Sequence, residues 1–176
     1  LYYMAKDYGN DSIAMLEGAA RVRKNPQNFL GSRGLEGAKH TLIEIIGNAT
    51  DERLAGFGDD LIVTYGADGS LSVRDFGRGV PLGFNKKYGK WNYFLIYEEL
   101  FAGGKYEDNQ AILREIDRKN QWKDFNFKKY PYLITIGMNG VGGACTQYTS
   151  EYFDVISYRD GKASHMYYEK GAHVFD

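Results

Sequence analysis

The chain has 176 residues, a length that fits one domain, and its hydrophobic fraction of 43% is enough to bury a core. Its 22 basic and 23 acidic side chains give a net charge of −1, which excludes a global positive field that could hold a polyanion such as DNA. The single cysteine, Cys145, excludes an intramolecular disulfide, and three scattered histidines argue against a zinc site. The sequence contains no long apolar run and no signal-peptide pattern, so we expect a cytoplasmic protein without a membrane segment. Because the chain begins at Leu1, we expect a fragment.

The spacing of apolar residues and turn formers predicts the elements in chain order. The predicted helices cover residues 12–24, 35–55 and 91–101, with a further short helix after the glycine cluster at 137–143. The predicted strands form two hairpins, 61–65 with 71–75 and 152–158 with 163–168. The stretch from 106 to 130 is rich in charge and aromatic residues with weak periodicity, and we interpret it as a mobile insertion. Helices and hairpins alternate in blocks, which favours an α+β layer with helices on one face of a mixed or antiparallel sheet.

The predicted helix over 35–55 carries the most informative polar pattern. Glu44, Asn48 and Asp51 follow one another at intervals that place them on one stripe of a helix. Apolar residues flank Glu44 on both sides, and an ionised carboxylate there needs a partner or a wet cavity. An ordinary solvated stripe is one interpretation. The other is that Glu44 is a general base for a water and that Asn48 supplies an oxygen ligand to Mg²⁺.

Asp75 lies at the end of the second predicted strand. Period-two counting places it on the same face as Leu71 and Val73, so we expect it to be buried at the edge of a pocket. A buried carboxylate there is an acceptor for an amino group such as that of adenine, and a turn-initiating aspartate is the alternative. The glycines and the proline of 76–81 would let the backbone approach such a ligand.

Two glycine-rich loops are able to bind phosphate. Residues 102–105 are Ala-Gly-Gly-Lys, and residues 137–143 are Gly-Met-Asn-Gly-Val-Gly-Gly before a predicted helix whose first amides could hold anionic oxygens. Glycine clusters are commonly only turns, and neither loop has the P-loop form or a convincing Rossmann context. The specific feature is the order of the segments: the polar-stripe helix, the D-x-G-x-G hairpin end, the Gly-Gly-Lys loop and the final glycine turn.

Together these segments resemble the GHKL ATPases, and among them the ATPase domain of the gyrase B and topoisomerase IV B subunits. The string EIIGNATDERLAG at 44–56 is similar to the first family box, DFGRGVP at 75–81 to the second, and GMNGVG at 137–142 to the third. FAGGKY at 101–106 is similar to a loop of the gyrase branch. The resemblance implies a two-layer fold of the Bergerat type, with helices on one face of a mostly antiparallel sheet of about eight strands.

The resemblance also implies roles for individual residues. Glu44 would activate the attacking water, and Asn48 would hold Mg²⁺ against the phosphates of ATP. Asp75 would hydrogen-bond adenine beside Gly79, with Arg78 and Pro81 at the outer rim of the pocket. The other implied nucleotide-binding residues are Gly103, Gly104, Lys105, Gly140, Val141 and Gly142.

At the level of the whole protein, the resemblance implies one ATP-binding domain over 1–176 that ends before the transducer domain, with 107–135 as the ATP lid or an insertion. Tyr8 would reach the partner's nucleotide in an ATP-induced homodimer, and Asp75, Arg78 and Arg159 would contact aminocoumarin-like inhibitors. The implied partners are ATP, a gyrase A-type or topoisomerase IV A-type subunit, and DNA only through other domains or subunits. The implied location is the bacterial cytoplasm at the nucleoid.

The implied activity is ATP hydrolysis that powers DNA strand passage. We expect slow hydrolysis by this fragment, because the family's lysine that reaches the terminal phosphate lies in the next domain. Phe76 and Asn139 depart from the gyrase pattern, which usually has an acidic residue and a lid histidine at these positions. Two alternatives therefore stay open: another GHKL ATPase, or a noncatalytic module that binds a nucleotide or an inhibitor.

Overall fold

The computed structural model describes residues 12, 14–104, 110–119, 122–124, 132–133, 135–137 and 140–175. Six helices and seven strands are assigned in this part of the chain. The helices are α1 (Gly18–Lys24), α2 (Gln27–Leu30), α3 (Leu35–Leu54), α4 (Asn92–Tyr97), α5 (Gln110–Lys119) and α6 (Gly142–Thr149). The strands are β1 (Leu61–Tyr65), β2 (Leu71–Asp75), β3 (Phe84–Asn85), β4 (Lys90–Trp91), β5 (Tyr152–Arg159), β6 (Lys162–Glu169) and β7 (Ala172–Phe175).

Helix α6 is the centre of the helix layer, since α1, α3 and α4 all pack against it. One side of α6 buries an apolar cluster with α1 and α2, made of Val22, Leu30, Ala144, Cys145 and Tyr148. Each of these side chains is at most 6% exposed, so the cluster is a closed core rather than a surface contact. The layer therefore holds the first turn of α6 in a fixed position against α3.

The largest sheet consists of β5, β6 and β7, all antiparallel. Its longest pair runs in register from Tyr152 opposite Glu169 to Arg159 opposite Lys162. Asp160 and Gly161 connect these strands, and both have positive φ, which matches the twist of a two-residue hairpin turn. Met166 and Tyr168, two alternate residues of β6, face α4. Together with Tyr93 and Tyr97 of α4 they form a second buried cluster.

The fold is α+β, as the block pattern predicts, but the strands do not form the single sheet of about eight strands that the resemblance implies. In the described residues, β1 pairs only with β2 and β3 only with β4, so seven strands form three separate antiparallel sheets. The β1–β2 hairpin accordingly leaves Ile62 47% and Val63 46% exposed. None of the described helices is both long enough and apolar enough to cross a bilayer.

Two predicted helix boundaries are wrong for local reasons. The first helix begins at Gly18 and not at residue 12, because Gly18 has a left-handed φ of 49° and Glu17 is extended. The predicted helix over 91–101 is helical only over 92–97, and the hydroxyl of Tyr148 donates a hydrogen bond to the carbonyl of Glu98 just beyond its end. By contrast, α3 and the two predicted hairpins form within a residue or two of their expected limits.

Candidate functional site

Helix α3 presents Glu44 to the first turn of α6. The Glu44 side chain is only 23% exposed, and its Oε1 lies 3.2 Å from Nε2 of His40, one helical turn earlier. A Cβ atom on Gly142 would lie 2.2 Å from Oε2 and 2.8 Å from Cβ of Glu44, so a larger residue there would displace the Glu44 side chain. Glycine at position 142 therefore lets the start of α6 approach the carboxylate.

The pKa of the Cys145 thiol is consistent with the short distance between Glu44 and α6. Burial raises the pKa of Cys145, and the negative charge of Glu44 raises it further, to about 11. The thiol is therefore protonated and inert at neutral pH, and its role is packing beneath the first turn of α6.

Asp51 is fully buried and ties the segment before α6 to α3. Its carboxylate accepts hydrogen bonds from the Thr135 hydroxyl at 2.6 Å, from the Ile136 amide at 2.6 Å and from the Gly137 amide at 3.2 Å. Three charge-assisted bonds compensate the burial of this charge. Because Glu44 and Asp51 both contact the 135–142 segment, the polar stripe faces that segment, and the exposed Asn48 lies between them on α3.

Asp75 lies at the end of β2, and its Oδ1 accepts a hydrogen bond of 2.8 Å from the Gly77 amide. The prediction that Asp75 is buried is wrong, because Asp75 and Leu71 are both exposed and only Val73 on their face is half-buried. In the described residues, β2 has no second hydrogen-bonded neighbour that would cover this face. Asp75 still lies near the core. The burial of Tyr97 raises its pKa, and the negative charge of Asp75 raises it further, which requires the two side chains to be close.

Glu52 binds Arg78 through three hydrogen bonds. The guanidinium donates from Nε to Oε2 at 3.0 Å and from Nη2 to Oε1 at 2.9 Å, and the Arg78 amide donates to Oε2 at 3.1 Å. The Tyr132 hydroxyl also donates to Oε1. Burial by itself raises the pKa of Glu52, but the bonds from Arg78 and Tyr132 outweigh it and lower the pKa to about 2. The Arg78 guanidinium also lies 4.0 Å from the centre of the Phe57 ring.

The 79–80 backbone docks onto β5. Gly79 has a φ of +70°, and a Cβ atom there would lie 2.2 Å from the carbonyl oxygen of Tyr158. Arg159 Nη1 donates to the Gly79 carbonyl at 2.8 Å, and the Val80 amide donates to Ser157 Oγ at 3.0 Å. Arg78 and Arg159 consequently line one hollow, beside the turn that joins β5 and β6.

The remaining predicted residues fall into three groups. Gly103 and Gly104 are exposed in the loop after α4, and Pro81 is exposed after the docked backbone. Gly140 has a φ of +61°, and Val141 immediately precedes α6, whose first turn has no side-chain cap. Tyr8 and Lys105 lie outside the described residues.

Helix α3 connects the two halves of the candidate site. Glu44 contacts the first turn of α6, and Glu52 contacts the strand end, since a Cβ atom on Gly77 would lie 2.8 Å from the Glu52 side chain. These two positions on α3 are eight residues apart, which corresponds to about 12 Å along a helix.

Sequence reasoning missed the partners of these residues. His40 is recognisable by its spacing of four residues from Glu44, which places the two side chains on one face of a helix. Glu52 is a neighbour of Asp51 in the sequence, but its partners Arg78 and Tyr132 are 26 and 80 residues away, and no local pattern reveals them.

An α+β fold in which a glutamate on a long helix meets a glycine-rich turn, with an aspartate at a neighbouring strand end, is the arrangement expected of a GHKL ATPase domain. The comparisons with known proteins agree. The B subunit of DNA topoisomerase IV from Staphylococcus aureus strains MW2 and N315 is 35% identical to the chain over 165 residues. The match covers 94% of this chain and 22% of the relative. Over most of its length the chain is therefore similar to the B subunits of type IIA topoisomerases.

A solved structure supports the same relationship. The 43K ATPase domain of Thermus thermophilus gyrase B, in complex with an aminocoumarin, matches with a TM-score of 0.60 and 26% identity, over 88% of this chain and 32% of that chain. No protein-family model matches the chain. The chain spans about a fifth of the length of the curated relatives it matches.

Proposed function

We propose that this chain, over 1–176, is the ATP-binding and hydrolysing domain of a type IIA topoisomerase B subunit. The observation that carries the proposal is the position of the Glu44 carboxylate, which lies against the first turn of α6 and beside His40. A carboxylate in that position can accept a proton from a water that attacks a phosphate bound at the helix start.

The phosphates of ATP would lie at residues 140–142. Gly140 has a φ of +61°, and the amides of the first turn of α6 have no side-chain cap. Lys105 and the loop at 103–104 would contribute further phosphate contacts. The segment 107–135 would act as the lid over the bound nucleotide.

The adenine end would lie at the end of β2. Asp75 would accept a hydrogen bond from the exocyclic amine, and Gly79 would let the ring approach the docked backbone. Arg78, held by Glu52, would form the outer rim with Pro81. An aminocoumarin would use the same end through Asp75, Arg78 and Arg159. The similar gyrase B domain was itself solved in complex with an aminocoumarin.

The residues on α3 fit a magnesium ion that is held mainly by its substrate. In the described residues no group of three or more metal-ligating side chains occurs, and Mg²⁺ bound to a nucleotide needs only one or two protein ligands. Asn48 offers an exposed amide on the stripe that carries Glu44. Mg²⁺ held there would offset the negative charge of the phosphates.

Catalysis would then depend on orientation. His40 Nε2 lies 3.2 Å from Oε1 of Glu44, and the other oxygen lies against Gly142 at the helix start. The carboxylate would orient the attacking water in line with the terminal phosphate and take its proton. In the full-length protein, nucleotide binding would close a homodimer through Tyr8 and drive DNA strand passage together with the A-type subunit, in the bacterial cytoplasm at the nucleoid.

The test is an ATPase assay of the full-length subunit that carries Glu44→Gln. We expect turnover to fall by about 10²- to 10⁴-fold, because the water loses its base. The affinity for a nonhydrolysable ATP analogue should change by less than about threefold, because the shape of the side chain is kept. Glu36→Gln, an exposed glutamate on the same helix, is the matched control and should leave turnover unchanged. Wild-type turnover in Glu44→Gln would refute the assignment of the base.

A further inference from the structure

A second concave site lies at the opposite end of α6 from Glu44. It is a cavity of about 340 Å³ between the α2–α3 connection and the last turn of α6. Because the eight residues of α6 span about 12 Å, this cavity is separate from the first turn of the helix. Its polar lining consists of Arg23, Ser32, Arg33, Thr41, Thr149 and Ser150.

The cavity is positively charged. Two arginines and no aspartate or glutamate are among the residues that line it. Arg23 Nη1 donates to the carbonyl oxygens of Tyr148 at 2.8 Å and Ser150 at 3.3 Å. These bonds place the guanidinium over the carbonyl end of α6 and offset the partial negative charge of that helix end. The acceptors of Arg23 are thus neutral groups, and part of its positive charge remains at the cavity after the helix end is offset.

Arg33 is held in the same way. Its Nε donates to Oε1 of Gln27 at 2.7 Å, and its Nη2 donates to the Lys24 carbonyl at 3.1 Å and to Oδ1 of Asn25 at 3.4 Å. All three acceptors are again neutral. The bonds fix the guanidinium plane and do not involve Nη1, so the positions of the two arginines are set before any ligand binds.

The turn at 32–34 adds a hydroxyl to the two arginines. Ser32 Oγ accepts a hydrogen bond of 3.1 Å from the Gly34 amide, which leaves its proton to be donated to a ligand. A Cβ atom on Gly37 would lie 2.4 Å from the Ser32 carbonyl oxygen, so glycine at position 37 lets this turn lie against α3. Guanidinium and hydroxyl donors around one cavity match the oxygens of a phosphate group.

We propose that this cavity binds a phosphate-type oxyanion between Arg23 and Arg33, at a site distinct from the one that Glu44 defines. The same chemistry suits two sources: a free phosphate or terminal phosphomonoester, and a phosphodiester of a nucleic-acid backbone. The net charge of −1 excludes attraction of a polyanion by the whole surface, so binding to either source depends on this local cluster.

The test is a titration of the full chain with inorganic phosphate, followed by ³¹P NMR. We expect saturable binding that Arg33→Gln weakens by about tenfold, the loss expected for one charged hydrogen-bonding group. Arg21→Gln makes the same change of charge on an exposed part of α1 outside the cavity, and it should alter the affinity by less than about twofold. Ser32→Ala keeps the charge and should weaken binding by about threefold, so it decides the question if Arg33→Gln does not fold.

Two oligonucleotide arms distinguish the sources. A short single strand with a 5′-phosphate and the same strand without it are each competed with inorganic phosphate. Binding of only the phosphorylated strand supports the terminal phosphomonoester, and equal binding of both strands, lost in Arg33→Gln, supports the phosphodiester. The proposal is overturned if phosphate does not saturate, or if Arg33→Gln and Ser32→Ala both bind phosphate like the wild type.

Discussion

The pair of Glu52 and Arg78 predicts a stability that depends on pH. The pKa of Glu52 is lowered from an ordinary value of 4.5 to about 2, so the ionised form is favoured in the folded chain. A difference of this size corresponds to about 3 kcal/mol at neutral pH, which solvent screening of a partly exposed pair reduces to about 2 kcal/mol. Because the folded-state pKa is depressed, this stabilisation is present above about pH 5 and is lost as the pH falls through the range down to about 2.

Glu52→Gln is the direct test. The amide keeps the size of the side chain but removes the charge that Arg78 neutralises and that accepts the hydrogen bond from Tyr132. We therefore expect the free energy of unfolding to fall by about 2 kcal/mol at pH 7. Urea unfolding of both proteins at pH 7 and at pH 3 measures the difference. The difference should become smaller at pH 3. At that pH Glu52 takes up a proton in the unfolded wild-type chain but stays mostly ionised in the folded chain, so the unfolded state is favoured.

Glu151→Gln is the matched control, since Glu151 forms a longer contact of 3.6 Å with Lys170 on an exposed turn. That substitution should change stability by less than about 0.5 kcal/mol at either pH. The reasoning is refuted if Glu52→Gln also changes stability by less than this amount at pH 7, or if its effect is the same at both pH values.

Three further substitutions test other contacts. Asp51→Asn should lower the free energy of unfolding, measured in urea titrations, by about 2–4 kcal/mol, because a buried carboxylate that accepts three hydrogen bonds loses its charge. A loss under about 1 kcal/mol would contradict this. Gly142→Ala should lower the ATP turnover of the full-length subunit at least about tenfold, because the alanine methyl group would displace the Glu44 carboxylate. Unchanged turnover would show that hydrolysis does not depend on the position of Glu44. Asp75→Asn should weaken the binding of an ATP analogue by about 1–3 kcal/mol in isothermal titration, and unchanged affinity would exclude Asp75 as the adenine acceptor.

The parts that sequence reasoning predicted well are those decided by local patterns. Helix α3 has a long periodic stretch that stops at Gly56, and it forms over Leu35–Leu54. The β1–β2 hairpin follows from alternation around the Ala67–Gly69 turn, and its register from Leu61 opposite Asp75 is regular. In both elements the neighbours that determine the conformation are only a few residues away.

The parts that were missed depend on contacts between distant segments. The predicted start of the first helix is wrong because the backbone of Gly18 is left-handed. The sequence contains 22 glycines, and nothing in it indicates which of them adopts that conformation. The exposure of Asp75 depends on which strand lies beside β2, and a period-two pattern assigns a face but not a neighbour. Likewise, the fully buried Asp51 is explained only by its bonds to residues 135–137, which are more than 80 positions away.

The most direct measurement is a structure of the chain with a nonhydrolysable ATP analogue and Mg²⁺. The account predicts that the terminal phosphate lies at the first turn of α6 within reach of Glu44, and that the adenine amine bonds to Asp75. An analogue bound with its phosphates away from Gly142, or with its base away from the end of β2, would contradict the assignment of this site.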